Sequence, residues 1–353
     1  MKILVIKFRN IGDVLLSSPL LANLRHYYPD ANIDYATNDE CIPILEDNPS
    51  IDKLISFERK KKKNLSFFNK VIQEIKLLKM IRVNSYDMVL NLTEGDRGAL
   101  YTLFSGAKTK YSIRPSNYLI SKFGIFTSLV ENNFNMHSVE KDLQFISLLN
   151  KEIIYKKLSI SWPSQAEKSL MKFLPKGISQ DYVVIHPVSR WMFKCWNNRA
   201  MAKVIDYIAS KKNVSVILTG SSAEVEMNRI DEISKLCSSN PILLCGKLSL
   251  KELSFLISRA KLFFGVDSAP MHVASACDTK VLALFGASFP LCWGPWYDGK
   301  RNFKNIEGIQ FNNFHYIISS MDHEIYYENG IKKSRGMDNI TFDHVKSVLD
   351  KIL

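Results

Sequence analysis

Two groups of side chains in this 353-residue chain are placed to do chemistry: a carboxylate just past a glycine, and two cations sharing a loop with a hydroxyl. The first lies in Lys7-Phe8-Arg9-Asn10-Ile11-Gly12-Asp13. Asp13 has two readings. A first-turn acid gains under about 1 kcal/mol from the helix dipole. A carboxylate projecting from the loop after a strand can instead accept a proton as a general base. Spacing leaves both open. The second lies in His186-Pro187-Val188-Ser189-Arg190-Trp191-Met192-Phe193-Lys194-Cys195-Trp196, where Ser189, Arg190 and Lys194 suit a phosphate group. An ordinary polar loop with Trp191 and Trp196 partly packed reads the same way.

Two weaker segments follow. In Thr219-Gly220-Ser221-Ser222-Ala223-Glu224, Glu224 can hold a ribose hydroxyl pair, or the segment can simply begin a helix. In Phe264-Gly265-Val266-Asp267-Ser268-Ala269-Pro270-Met271-His272, Asp267 or Ser268 is expected to cap a helix with Pro270 in its first turn. The amides at that helix start suit a diphosphate. His272 reads equally as a buried core histidine.

Other chemistries lose their support. The turn after the first strand lacks G-x-G-x-x-G, and no G-x-x-x-x-G-K-[ST] occurs, so hydride transfer with NAD and P-loop phosphoryl transfer are not favoured. No D-x-D pair offers a divalent metal a seat beside a nucleotide. The expectation is therefore no metal and no cofactor, with Lys194, Arg190 and helix N-termini offsetting diphosphate charge. The six cysteines are scattered without a C-x-x-C pair, which argues against a zinc site and a disulfide framework.

The elements that must position these residues alternate strand and helix. Lys2–Lys7, Asn32–Ala36, Ile51–Phe57 and Tyr86–Leu92 read as strands. Gly12–Tyr28 and His137–Leu149 read as helices, and Phe68, Val71, Ile72, Ile75 and Leu78 form an apolar stripe at helical period. Pro163, Pro175 and Gly177 mark an interdomain linker. A second series of strands is expected at Tyr182–Ile185, Val214–Leu218, Ile242–Cys245, Leu262–Gly265 and Val281–Phe285. Helices fit near Asn197–Ser210, Ala223–Cys237, Leu250–Arg259 and Ala269–Cys277, with a terminal helix at Thr341–Leu353. The pattern predicts parallel sheets with helices on both faces.

Length favours two domains. Composition, 46% hydrophobic and 23% charged, is that of a globular protein. No apolar run reaches the roughly 20 residues of a membrane span, and Met1–Lys7 is no signal peptide, so a cytoplasmic protein is expected. The net charge of +12 is spread over both halves and favours anionic partners. The run Arg59-Lys60-Lys61-Lys62-Lys63 is either a solvated loop or a membrane-surface contact. No nucleic-acid reader motif is present, so nucleic acid is not an expected partner.

Taken together the motifs resemble those of the family 9 glycosyltransferases, the ADP-heptose:lipopolysaccharide heptosyltransferases. The segments that carry the resemblance are Ile6-Lys7-Phe8-Arg9 with Ile11-Gly12-Asp13, His186-Pro187 through Arg190 with Lys194-Cys195-Trp196, and Gly265 through His272. Leu284-Phe285-Gly286-Ala287 with Trp293-Gly294-Pro295-Trp296 completes the set. The third, branch-adding inner-core type is the nearest in pattern. The resemblance implies an α/β GT-B fold, two Rossmann-like domains facing a central cleft: an acceptor-binding domain over 1–165, a nucleotide-sugar-binding domain over 180–335 and a C-terminal helix over 340–353. It implies inverting transfer of heptose from an ADP-activated donor to a lipid-linked core oligosaccharide at the inner membrane's inner leaflet. It gives Asp13 the base role and Lys194 a catalytic one. Ser189, Arg190, Lys194, Glu224, Asp267, Ser268, Ala269, Pro270 and His272 would bind donor, and Lys7, Arg9, Asn10 and Gly12 acceptor. Ala269 departs from the glycine that many members carry. Another nucleotide-sugar donor, or a non-hydrolysing sugar-nucleotide epimerase, is the alternative.

Overall fold

The computed structural model describes residues 1–57, 66–115, 124–133, 135–175, 181–211, 214–299, 304–306, 309–312, 314–320 and 322–353. The chain forms two compact units, Met1–Ser161 and Trp162–Leu353. The run Arg59–Lys63 lies outside the described residues.

In the first unit the elements are β1 (Lys2–Lys7), α1 (Ile11–Leu15), α2 (Ser18–Tyr27), β2 (Asn32–Asn38), α3 (Ile42–Leu45), β3 (Lys53–Phe57), α4 (Phe67–Val83), β4 (Met88–Asn91), α5 (Asp96–Phe104), β5 (Thr109–Ile113), β6 (Ser128–Val130) and α6 (Ser138–Leu148). All six strands are parallel, in the order β3-β2-β1-β4-β5-β6. Ile3, Leu4, Val5 and Ile6 of β1 are all fully buried. A central parallel strand is covered on both faces, which is why this stretch is a continuous apolar run rather than an alternation. The single helix expected over Gly12–Tyr28 is two helices. Ser17 breaks it: its hydroxyl donates to the Val14 carbonyl and bonds the buried Tyr35 hydroxyl at 2.8 Å.

The second unit contains α7 (Gln165–Leu170), β7 (Tyr182–His186), α8 (Asn198–Ala209), β8 (Ser215–Leu218), α9 (Glu224–Leu236), β9 (Ile242–Leu243), α10 (Leu250–Ser258), β10 (Leu262–Val266), α11 (Ala269–Ala276), β11 (Val281–Phe285), α12 (Pro290–Trp293), β12 (Lys304–Ile306), β13 (Ile309–Phe311) and β14 (Tyr316–Ser319). The hairpin β15 (Ile325–Glu328) and β16 (Ile331–Ser334), α13 (Arg335–Asp338) and α14 (Phe342–Ile352) follow. Its sheet runs β12-β13-β14-β11-β10-β7-β8-β9, with β12 and β13 antiparallel additions. Its six parallel strands therefore repeat the order of the first sheet. Within the expected linker, α7 packs on α10 with a Ser169–Glu252 hydrogen bond, and Trp162 meets Phe255, so the stretch from Trp162 to Leu170 belongs to the second unit; residues 176–180 of the expected linker lie outside the described residues.

In both sheets the strand order reverses between the first and fourth strands. Open α/β sheets bind ligands outside the carboxyl ends at such a switch point. In the first unit that places the β1 and β4 loops at the switch, and in the second the β7 and β10 loops.

Candidate active site

The loop from β1 to α1 is fastened at almost every residue. Thr37 Oγ1 donates to the Lys7 carbonyl at 2.9 Å, and Asn38 Nδ2 to the Arg9 carbonyl at 2.8 Å. The Phe8 amide donates to Thr93 Oγ1, just past β4, at 2.9 Å. Arg9 lies 3.4 Å from Glu94. Asp13, half-buried, accepts from the Asn10 amide at 3.3 Å, the hydrogen bond of a first-turn acid. That bond and a general-base role are compatible, because a carboxylate has several acceptor positions.

Lys7, one of the expected acceptor-side residues, is 3% exposed, and its ammonium donates to Asp142 of α6 at 2.5 Å. The pair joins the end of β1 to α6, beside the loop that carries Asp13. Burial pushes the Asp142 carboxyl up from its ordinary value, and the Lys7 charge opposes that. Asp142 was missed in the sequence. It lies on the buried face of α6 with Val139, Leu143 and Ile146, and a carboxylate on an apolar helical face was the available signal.

In the second unit the loops after β7, β10 and β11, neighbours in the sheet, converge. Lys194, in a short 3-10 turn after β7, donates to Asp267 Oδ2 at 2.5 Å, and Ser288, after β11, donates to the same oxygen at 2.5 Å. Asp267 follows β10. Gly265 permits the close approach: a Cβ there would lie 2.7 Å from the His186 carbonyl, its register partner. The Lys194 loop is held downstream by Trp196, buried, whose indole donates to the Ile340 carbonyl at 2.9 Å, and by Asn197, which caps α8 through the Arg199 and Ala200 amides. His186, at the end of β7, is buried against Thr219 at 3.0 Å, and burial holds its imidazole down at about 4.

The expected cap of α11 is not made by a side chain. Ser268 occupies the cap position, but its hydroxyl turns back to the Val266 carbonyl, and Asp267 is taken by Lys194 and Ser288. Pro270 and His272 are buried, Ser268 and Ala269 half-buried. Ser189 is buried and Arg190 exposed. Glu224 stands exposed at the start of α9. It is Glu226 that is buried and accepts from the Ser221 amide at 2.8 Å. Trp191 is half exposed beside the Phe193 ring, and Trp196 is buried. Among the described residues no group of three or more His, Cys, Asp or Glu is arranged to hold a metal ion.

The profile of "Glycosyltransferase family 9 (heptosyltransferase)" matches residues 74–316, which include Lys194 and Asp267 and begin after Asp13. The chain is 37% identical over 291 residues to lipopolysaccharide heptosyltransferase 3 of Escherichia coli K12, covering 81% of this chain and 82% of the relative. The fold matches the glycosyltransferase family 9 structure from Veillonella parvula with a TM-score of 0.78 at 20% identity, covering 99% of this chain and 96% of that one. It also matches the E. coli ADP-heptose lps heptosyltransferase II structure with a TM-score of 0.76 at 20% identity, covering 100% and 98%. With the GT-B fold of those structures and with profile and relative agreeing over most of its length, this chain belongs to glycosyltransferase family 9 and is a sugar-transferring enzyme.

Proposed function

We propose that the enzyme transfers heptose from ADP-heptose to the inner core of lipopolysaccharide or lipooligosaccharide, inverting the anomeric centre. The observation that carries this reading is the Lys194–Asp267–Ser288 cluster at the carboxyl ends of three strands, in a chain 37% identical to a heptosyltransferase. An acceptor hydroxyl oxygen attacks the anomeric carbon and its proton passes to Asp13. The bond from that carbon to the diphosphate oxygen breaks, and ADP leaves with the electron pair. Base assistance of this kind typically contributes about 10²–10⁴-fold.

Lys194 and the amides at the start of α11 meet the developing diphosphate charge, so no metal or cofactor is required. Asp267, itself held by Ser288, keeps the Lys194 ammonium in place before donor arrives. Glu224, Ser189 and Arg190 contribute to donor binding, and Arg9, Asn10 and Gly12 to acceptor binding. The acceptor is lipid-linked, and the enzyme works at the cytoplasmic face of the inner membrane; no described helix is long and apolar enough to cross it.

Mass spectrometry of truncated core acceptors incubated with ADP-heptose, and with UDP- and GDP-sugars, tests the reading, with and without EDTA. Heptose addition from the ADP donor alone, unaffected by EDTA, is expected. Conversion of the nucleotide sugar without any acceptor would favour the epimerase alternative.

A further inference from the structure

Of the apolar stripe Phe68, Val71, Ile72, Ile75 and Leu78, α4 turns the first four outward. These residues are 78%, 40%, 49% and 46% exposed. Leu78, the last residue of the stripe, meets the sheet core with Leu77 and Ile81. Beside α4, α5 leaves Leu100, Leu103 and Phe104 exposed at 38%, 42% and 48%. The two helices are tied by Glu74, which accepts from Tyr101 at 2.5 Å and pairs with Arg97 at 3.5 Å. Glu74 is the only carboxylate of α4, and it is turned inward to that contact. Among its described side chains, the exposed charges of the helix are Lys76, Lys79 and Arg82.

An outward face that is apolar and basic with no carboxylate is the pattern of a helix lying in a lipid interface, with rings and branched chains among acyl carbons and ammonium groups at anionic headgroups. A second copy of this chain fits poorly, because it carries the same basic face and the same net charge of +12. We propose that the outward face of α4, extended by Leu100, Leu103 and Phe104 of α5, docks this enzyme on an anionic lipid bilayer. This docking face rests on the membrane location proposed above and draws on exposed surface, not on donor chemistry, so its failure is distinguishable from failure of the transfer reading.

The test is co-sedimentation of the full chain with vesicles of phosphatidylcholine alone and of phosphatidylcholine with phosphatidylglycerol, at 0.1 M and 1 M salt. Wild type should bind the anionic vesicles. Ile72→Gln with Ile75→Gln should lower the partition about tenfold or more at both salt concentrations, since apolar insertion is not screened. Lys76→Gln with Lys79→Gln should lower it about fivefold per lysine at 0.1 M and little at 1 M, where the Debye length is about 3 Å. Transfer to a water-soluble core fragment should be unchanged in both variants. The proposal is overturned if wild type ignores anionic vesicles, or if the Ile72/Ile75 variant binds them as wild type does. It is overturned too if light scattering shows a wild-type dimer that this variant turns into monomer.

Discussion

The carboxyl ends of β1 and β7 occupy equivalent places in twin sheets, and a lysine at or just beyond each lies 2.5 Å from an aspartate. In the first unit Lys7 and Asp142 are 3% and 2% exposed; in the second Lys194 and Asp267 are 21% and 8% exposed. The difference separates two uses of one interaction. A buried pair can exchange nothing with a ligand, and removing one member leaves an uncompensated charge in low dielectric. A pair at the rim, with a serine hydroxyl sharing the carboxylate, can turn its ammonium toward an arriving diphosphate. In the proposed reading the first pair builds the platform for Asp13, and the second takes part in the donor chemistry.

The sharpest break in this comparison is Lys7→Ala or Asp142→Ala, either of which should cost about 3–5 kcal/mol in denaturant unfolding. Lys7→Met with Asp142→Leu should recover most of that loss. Lys194→Ala should cost only about 1 kcal/mol of stability while lowering kcat about 10²-fold, more than it raises the donor KM. If instead KM rose with kcat unchanged, Lys194 would be a ground-state anchor.

A third prediction concerns pH. His186 is held neutral by burial, at about 4 against an ordinary 6.5. The unfolded chain takes up this proton first as acid is added, so the contribution is complete above about pH 6.5 and is lost as pH falls through about 4. It is on the order of 3 kcal/mol. His315, held down to about 3, adds to the same slope. Unfolding midpoints between pH 7 and 4 should fall less steeply in His186→Gln. The smallest expected effect is that of Ser288→Ala, a several-fold loss in kcat from a less restrained Asp267, with folding nearly unchanged.

Much of this architecture was legible in the sequence because buried parallel strands are short apolar runs with turn residues behind them. Lys2–Lys7, Tyr182–Ile185 and Val281–Phe285 are of this kind, and the loops after the first two carry Asp13 and Lys194. What periodicity did not carry was the partner of each charge. Asp142 lies 135 residues from Lys7, and Asp267 lies 73 residues from Lys194. Only the shared strand order brings each pair together. Periodicity located α4 but did not say which way its stripe faces, since a helix can bury Leu77, Leu78 and Ile81 and leave a second apolar stripe to solvent. Strands β5, β6 and β12 to β16 are short or half-buried and lacked a clear signal.

The claim that Asp13 is the base is tested most directly by Asp13→Asn, with turnover measured on a truncated core acceptor and ADP affinity measured by calorimetry on the same preparation. The account predicts a loss of about 10²–10⁴-fold in kcat with ADP affinity within about twofold of wild type. Near-normal turnover would contradict it and leave Asp13 as the first-turn acid that its hydrogen bond to Asn10 also describes.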